Sequence, residues 1–287
     1  MNKVKIKIVS IGSIPIHLNL KKVENWKSSI FELDGAIENY ALRCDSDGDS
    51  WDFSDGLLEG QFPEKFGADF MIAIVNVPLE KNWYSRRLGD NKIVFTFHEI
   101  KEFLKTENIP LENAIFRVLY AYTLLYRRSS NKIPLAGQAI GFTHDETRGC
   151  LFDMNGIKAD LVESCNKPSI CDECQERLKK EKVSSALIET TQLEIKNIRK
   201  ELYYRVLDFV KIRPIWSLLI SSIFALFLGT ISSYIYDEFK RLSSTDLSKA
   251  QLLPKSASQN GQVGNKPQEP KASQAVATKK IDVLKEK

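Results

Sequence analysis

The sequence has few residues of the kinds that catalyse reactions, and several common catalytic motifs are absent from it. Only three histidines occur among 287 residues, His17, His98 and His144, and nothing in the sequence brings them together. The phosphate-binding patterns GxxxxGK(S/T) and GxGxxG do not occur, and neither does the GxSxG pattern of serine hydrolases. These absences argue against the best-marked classes of nucleotide-binding protein and serine hydrolase.

The sequence also lacks a basic surface of the kind that binds nucleic acid. The formal net charge is +4, and the tail from Ser243 onward, with its excess of lysine over acidic residues, accounts for it. The remainder is close to neutral, so no nucleic-acid partner is expected. A secretory signal is not apparent either, because the opening MNKVKIKIVS alternates charged and apolar residues like a strand.

Cysteine is scarce but clustered. There are five cysteines, and four of them, Cys150, Cys165, Cys171 and Cys174, lie in one short stretch, the last two as a CxxC pair. An odd, clustered set is unlike a disulfide framework and indicates a reducing compartment. CxxC supplies two thiolates from one turn, and the other two cysteines could complete a tetrahedral zinc site. Small buried thiols or a redox-active CxxC are the alternatives.

A long run without charge follows later in the chain. Residues 214–236, PIWSLLISSIFALFLGTISSYIY, are enough for a helix to cross a bilayer, which needs about 20 apolar residues. Trp216 at one end and Tyr234 and Tyr236 at the other resemble the aromatic belts of membrane spans. The alternative is a buried core helix. The basic residues before the run predict a single-pass protein of the cell (inner) membrane with its N-terminal part cytoplasmic.

The N-terminal part mixes strand and helix patterns and predicts an α/β or α+β domain over residues 1–180. Strands are expected at residues 3–12, 36–43, 69–79 and 92–97, and helices at 19–34 and 111–127.

Two further segments are predicted on either side of the span. Residues 181–212 are charged and periodic, with apolar residues spaced by three and four, and predict a juxtamembrane helix. This helix could dimerise as a coiled coil or pack on its own domain. Residues 243–287 have no aromatic residue and are rich in Lys, Ser and Gln, which predicts a disordered tail.

The cysteine-rich stretch and the residues before it resemble the archaemetzincins, a branch of the metzincin metalloproteases with the pattern HExxHxxGxxHC, then CxM and later CxxC. Gly141 and His144 of PLAGQAIGFTHD match the glycine and the third histidine, and Cys150 and the CxxC pair match later cysteines. Asp145 stands at the first structural cysteine and is a further candidate ligand. The resemblance covers about residues 3–178 and implies a metzincin-like fold with one structural zinc ion.

The catalytic part of the pattern is missing. The HExxH positions hold Pro134, Leu135 and Gln138, so two zinc ligands and the general base are absent together. His144 is then expected to be a structural histidine rather than a ligand. No catalytic residue is assigned.

These features predict a membrane protein with a catalytically degenerate metalloprotease-like domain that acts in binding or signalling, with an unidentified protein partner. The stalk and the span, with small residues such as Gly229, permit a homo-oligomer. One alternative is an oligomeric effector that perturbs the bilayer. Another is an active zinc hydrolase with a rearranged site.

Overall fold

The computed structural model describes residues 2–138, 141–144 and 147–250, with side chains as far as residue 241. The boundary between two compact units falls after Leu218, and each unit is described by itself. The strands are β1 Val4–Ile11, β2 Phe31–Leu33, β3 Glu38–Tyr40, β4 Phe70–Val75, β5 Ser85–Arg87 and β6 Lys92–Thr96. The helices are α1 Leu20–Glu24, α2 Asp55–Glu59, α3 Ile100–Thr106, α4 Glu112–Arg128, α5 Leu161–Ser164, α6 Asp172–Lys180, α7 Ser185–Ile195, α8 Leu202–Ile212 and α9 Pro214–Ala250.

The strands form one mixed sheet in the order β2-β1-β4-β6-β5, with β3 also pairing with β1. All pairings are parallel except that of β5 with β6. All six residues of β4 are buried, as expected for a central parallel strand covered on both faces. The sequence-based expectation of a mixed α/β domain is confirmed at this level.

Each face of the sheet carries its own apolar cluster. On one face, Ile6, Ile72 and Phe95 pack with α4, α7 and the cysteine-rich segment. On the other face, strand residues such as Met71 pack with α2, including Leu58. Helix α4 is the main cover of the first face, and nearly all of its residues are buried. The cysteine-rich segment is therefore part of the main core of the domain.

The predicted helix over residues 19–34 is wrong. Helix α1 ends at Glu24, and residues 31–33 form β2, which pairs in parallel with β1 from the register Val4↔Phe31 onward. Ile30 and Phe31 are buried in the core beside and within β2, so the apolar residues of this segment reach the core from a strand and not from a helix face. Strand pairing at the sheet edge has overridden the local helical pattern.

Residues 181–212 do not form one continuous helix. Helices α7 and α8 are separated by residues 196–201, and the residues Ile188, Thr191 and Ile195 that suggested a coiled-coil seam are buried in the domain's own core. The core also takes in Ile198. This arrangement matches the alternative in which the helix packs on its own domain, and nothing here supports a coiled coil.

Helix α9 contains the predicted span. Its part from Pro214 to Arg241 is 28 residues, long and apolar enough to cross a membrane, and its most apolar stretch is not buried. The helix continues to Ala250, so the first residues of the predicted tail are helical. Residues 251–287, the rest of that tail, lie outside the described residues.

Candidate metal centre

The first two donors of the site are held by a short loop before α5. The backbone of His144 pairs with the Phe152–Met154 region: its N–H donates to Phe152 O at 3.0 Å, and its carbonyl accepts from Met154 N at 2.9 Å. Between these residues the chain turns back at Gly149, whose φ of +84° is a left-handed conformation that favours glycine. This turn brings Cys150 to the same side as His144.

The other two donors come from the start of α6. Cys171 is the residue that precedes the helix, and Cys174 lies in its first turn and is buried. The two segments are joined by backbone hydrogen bonds between Ser169 and its neighbours: Leu151 N–H donates to Ser169 O at 2.7 Å, and Ser169 N–H donates to Gly149 O at 2.9 Å. The CxxC spacing thus places both sulfurs beside the Cys150 loop.

The four side chains converge on one point. One donor atom from each of His144, Cys150, Cys171 and Cys174 can be chosen such that all lie within 4.8 Å of one another. His144 Nε2 lies 3.2 Å from Cys150 Sγ and 3.4 Å from Cys171 Sγ, and the sulfurs of Cys150 and Cys174 are 3.9 Å apart. Around a tetrahedral zinc, the usual bond lengths place nitrogen and sulfur about 3.6 Å apart and two sulfurs about 3.8 Å apart.

The electrostatics of the group favour one thiolate, that of Cys150. The contact between the Cys174 and Cys150 sulfurs lowers the pKa of Cys150, against the opposing effect of burial, and the backbone N–H of Phe152 and the ring of His144 act in the same direction. The same contact, together with burial, raises the pKa of Cys174, and burial raises the pKa of Cys171. The N-terminal end of α6 adds a partial positive charge near both CxxC sulfurs. A divalent cation would displace the remaining protons.

The donor set fits a structural zinc ion. Three thiolates and one imidazole make a closed tetrahedral set of the kind found in structural zinc sites, whereas a catalytic zinc keeps one position for water or substrate. His144, Cys150, Cys171 and Cys174 would hold the ion, and it would crosslink the loop to α6.

Cys165, the fourth cysteine that the sequence analysis proposed, lies outside this group. Its carbonyl accepts a hydrogen bond from Asn113 Nδ2 at 2.9 Å, and its thiol is fully buried near Arg117. Burial raises the pKa of Cys165 to about 12, although the Arg117 guanidinium opposes the shift. Such a thiol stays protonated and behaves as a small apolar side chain.

The remaining sequence candidates are placed as follows. Asp145 lies outside the described residues. His17 and His98 are not members of the group, and Cys44 lies on the opposite face of the sheet, against the second apolar cluster. Sequence reasoning missed His144 as a member of this group. Its position six residues before Cys150 was the available signal, but the missing HExxH made it look like a remnant.

A buried arginine on α4 donates hydrogen bonds to the segment that follows Cys150. The Arg117 side chain, on α4, is almost fully buried, and its Nε donates to Ser164 Oγ at 2.6 Å. Its Nη2 donates to Asp153 O at 3.3 Å, and the guanidinium lies over the Tyr84 ring. Arg117 therefore ties the middle of α4 to both sides of the segment that follows Cys150.

Comparisons with known proteins give one remote similarity. No protein-family model and no curated protein matches the chain. Among solved structures, the crystal structure of archaemetzincin from Methanopyrus kandleri matches with a TM-score of 0.36 and 12% identity, over 62% of this chain and 95% of that chain.

Proposed function

We propose that this chain is a single-pass membrane protein whose N-terminal domain is a catalytically inactive, metalloprotease-like scaffold on the cytoplasmic side of the cell membrane. In this proposal the domain is folded around one structural zinc ion and acts in binding or signalling. The observation that carries the proposal is the closed set of four protein donors, His144, Cys150, Cys171 and Cys174. A metal held by four side chains has no position left for a substrate or an attacking water.

The membrane part of the proposal is supported by α9. Its large apolar side chains, among them Leu226 and Phe227, are exposed. An apolar surface of this length would promote aggregation in water. A hydrocarbon core about 30 Å thick would cover it. The cytoplasmic side is supported by the basic residues that precede the span, Lys196, Arg199, Lys200, Arg205, Lys211 and Arg213.

The test of inactivity is a peptide-cleavage assay on the full chain in lipid nanodiscs, loaded with zinc, against a mixed peptide library. We expect no cleavage above that of the Cys171→Ser variant. Cleavage that is abolished by His144→Ala and by chelation, but kept in Cys44→Ser, would contradict the proposal and favour a hydrolase.

The same preparation, reconstituted into vesicles that enclose a fluorescent dye, separates a binding role from a bilayer-perturbing one. We expect no dye release at protein densities where each vesicle holds several copies. Release that is lost with Gly229→Leu, a bulky change in the span, would instead support an oligomeric effector.

A further inference from the structure

Helix α8 has its polar side toward the domain and its apolar side toward solvent. Tyr204, Arg205 and Asp208 are half-buried, and Asp208 accepts a hydrogen bond from the Lys200 ammonium at 2.9 Å. Lys200 also pairs with Glu107 at the end of α3, at 3.9 Å. The polar side of α8 is thus tied to the domain by charge.

Six of the apolar residues of α8 occupy one continuous arc, and Ile212, at the last position of the helix, lies outside it. At 100° per residue, Phe209, Leu202, Val206, Val210, Tyr203 and Leu207 follow one another around about 160° of the helix surface. Leu202 is 70% exposed, Tyr203 67% and Val206 53%. An amphipathic helix of a soluble protein turns such an arc inward, so this arrangement is the reverse of normal core packing.

The position of α8 in the chain indicates what covers the arc. Only Arg213 separates Ile212, the last residue of α8, from Pro214, the first residue of α9. Two residues span at most about 7 Å, so once the span is inserted the end of α8 lies in the interfacial layer of the bilayer. Apolar and aromatic side chains beside cationic ones, here Lys211 and Arg213, are the composition of helices that lie in this layer.

We propose that α8 lies in the membrane interface, with its apolar arc inserted among the lipid headgroups and upper acyl chains. Lys211 and Arg213 face anionic headgroups, and the Lys200–Asp208 and Lys200–Glu107 pairs fix the domain to this helix. The domain then has one fixed orientation at the membrane surface, which a flexible linker would not give it. This inference rests on the proposed span, because the lipid is identified through α9.

The test uses the full chain in nanodiscs that contain anionic lipid, with a small fluorescent amino acid introduced at one position at a time. The positions are Val206 and Val210 on the apolar arc, Tyr204 on the domain side and Ile223 within the span. Lipids that carry a nitroxide high on the acyl chain quench a probe at interfacial depth, and lipids that carry it near the end of the chain quench the probe at Ile223, near the centre of the span. Zinc content confirms that each labelled protein is folded.

We expect the probes at Val206 and Val210 to be quenched several-fold more than the probe at Tyr204, with the probe at Ile223 also lipid-quenched. Quenching at Ile223 together with weak quenching at both Val206 and Val210 would overturn the inference and leave the span intact. Energy transfer between labelled copies at Val206, without lipid quenching, would also overturn it and would assign the arc to a second copy. Weak quenching at Ile223 would remove the span itself, and the inference with it.

Discussion

At the scale of single residues, the metal centre depends on four donor atoms carried by two short backbone segments. His144 and Cys150 come from the loop closed by Gly149, and Cys171 and Cys174 from the first turn of α6. The loop that carries His144 and Cys150 has little regular secondary structure of its own, whereas Cys174 lies in a helix. A bound ion that joins them would therefore contribute directly to the folding free energy.

The choice of fourth ligand can be tested by two single substitutions. We predict that His144→Ala weakens zinc binding by at least about 100-fold, because losing a direct ligand costs more than losing an outer-shell partner. Cys165→Ala should keep one zinc per chain and lower the free energy of unfolding by about 1 kcal/mol, as an ordinary core substitution does. Competition with a chromophoric chelator measures both affinities.

The reverse outcome would contradict this assignment. If Cys165→Ala lost the metal while His144→Ala kept it, the site would be the four-cysteine one that spacing alone suggests. Cys44→Ser, remote from the group in the structure, serves as the control for any general effect of removing a thiol.

Sequence reasoning found three of the four grouped donors but not the fourth. Cys150, Cys171 and Cys174 were accessible because CxxC and its spacing to an earlier cysteine are local signals. The choice of His144 over Cys165 could not be read from the sequence, because it depends on the turn at Gly149 and on the burial of Cys165 beside Arg117. Both are features of the tertiary structure.

At the scale of elements, one carboxylate joins α7 to two of its neighbours. Glu194 accepts hydrogen bonds from Ser28 Oγ at 2.6 Å, from the Ser29 backbone N–H at 2.8 Å and from Tyr120 Oη at 2.8 Å, and also from the Ser29 hydroxyl. It thereby joins α7, α4 and the turn before β2. Burial opposes ionisation of Glu194, but these hydrogen bonds outweigh it and lower its pKa.

This carboxylate predicts a pH dependence of stability. Because the pKa of Glu194 is lower in the folded state than in the unfolded state, its contribution is present above the unfolded value and is lost as pH falls through the folded one. Glu194→Gln should lower the free energy of unfolding at pH 7 by about 1–2 kcal/mol, reduced by partial solvent screening. The same variant should lose stability less steeply on acidification.

Chemical denaturation of the domain at several pH values measures both effects. Glu189→Gln, on the exposed side of the same helix, is the matched control and should behave like the unaltered protein. An unchanged pH profile in Glu194→Gln would show that the carboxylate does not hold α7.

The elements that sequence predicted well are those whose pattern is continuous and buried. Strand β4, a run of apolar residues, and helix α4, which follows Pro110, are both near their predicted positions. The helix predicted over 19–34 is wrong, and for 181–212 the sequence left two packing alternatives open, because three-four spacing is also satisfied by β2 and by α7 packing on the core. Periodicity identifies a buried face but not the element against which it packs.

At the scale of the whole molecule, α8 lies in the chain between the core of the domain and α9, the candidate span. The core of the domain reaches Ile198, and α8 then presents an apolar arc just before α9 begins at Pro214. A fragment cut at residue 182 would lose the buried α7 residues, each worth about 1.5–3 kcal/mol, against a typical total stability of about 5–15 kcal/mol. Stability and metal content should therefore be measured on the full chain.

The most direct test of the account is the metal content of the full chain, purified in detergent without added metal and measured by elemental analysis beside Cys171→Ser and Cys44→Ser. The account predicts one zinc per chain in the unaltered protein and in Cys44→Ser, and loss of zinc with loss of cooperative unfolding in Cys171→Ser. A cooperatively folded chain without metal would contradict the structural site. Two zinc ions per chain would contradict the inactive scaffold, because the second ion would require a site with its own chemistry.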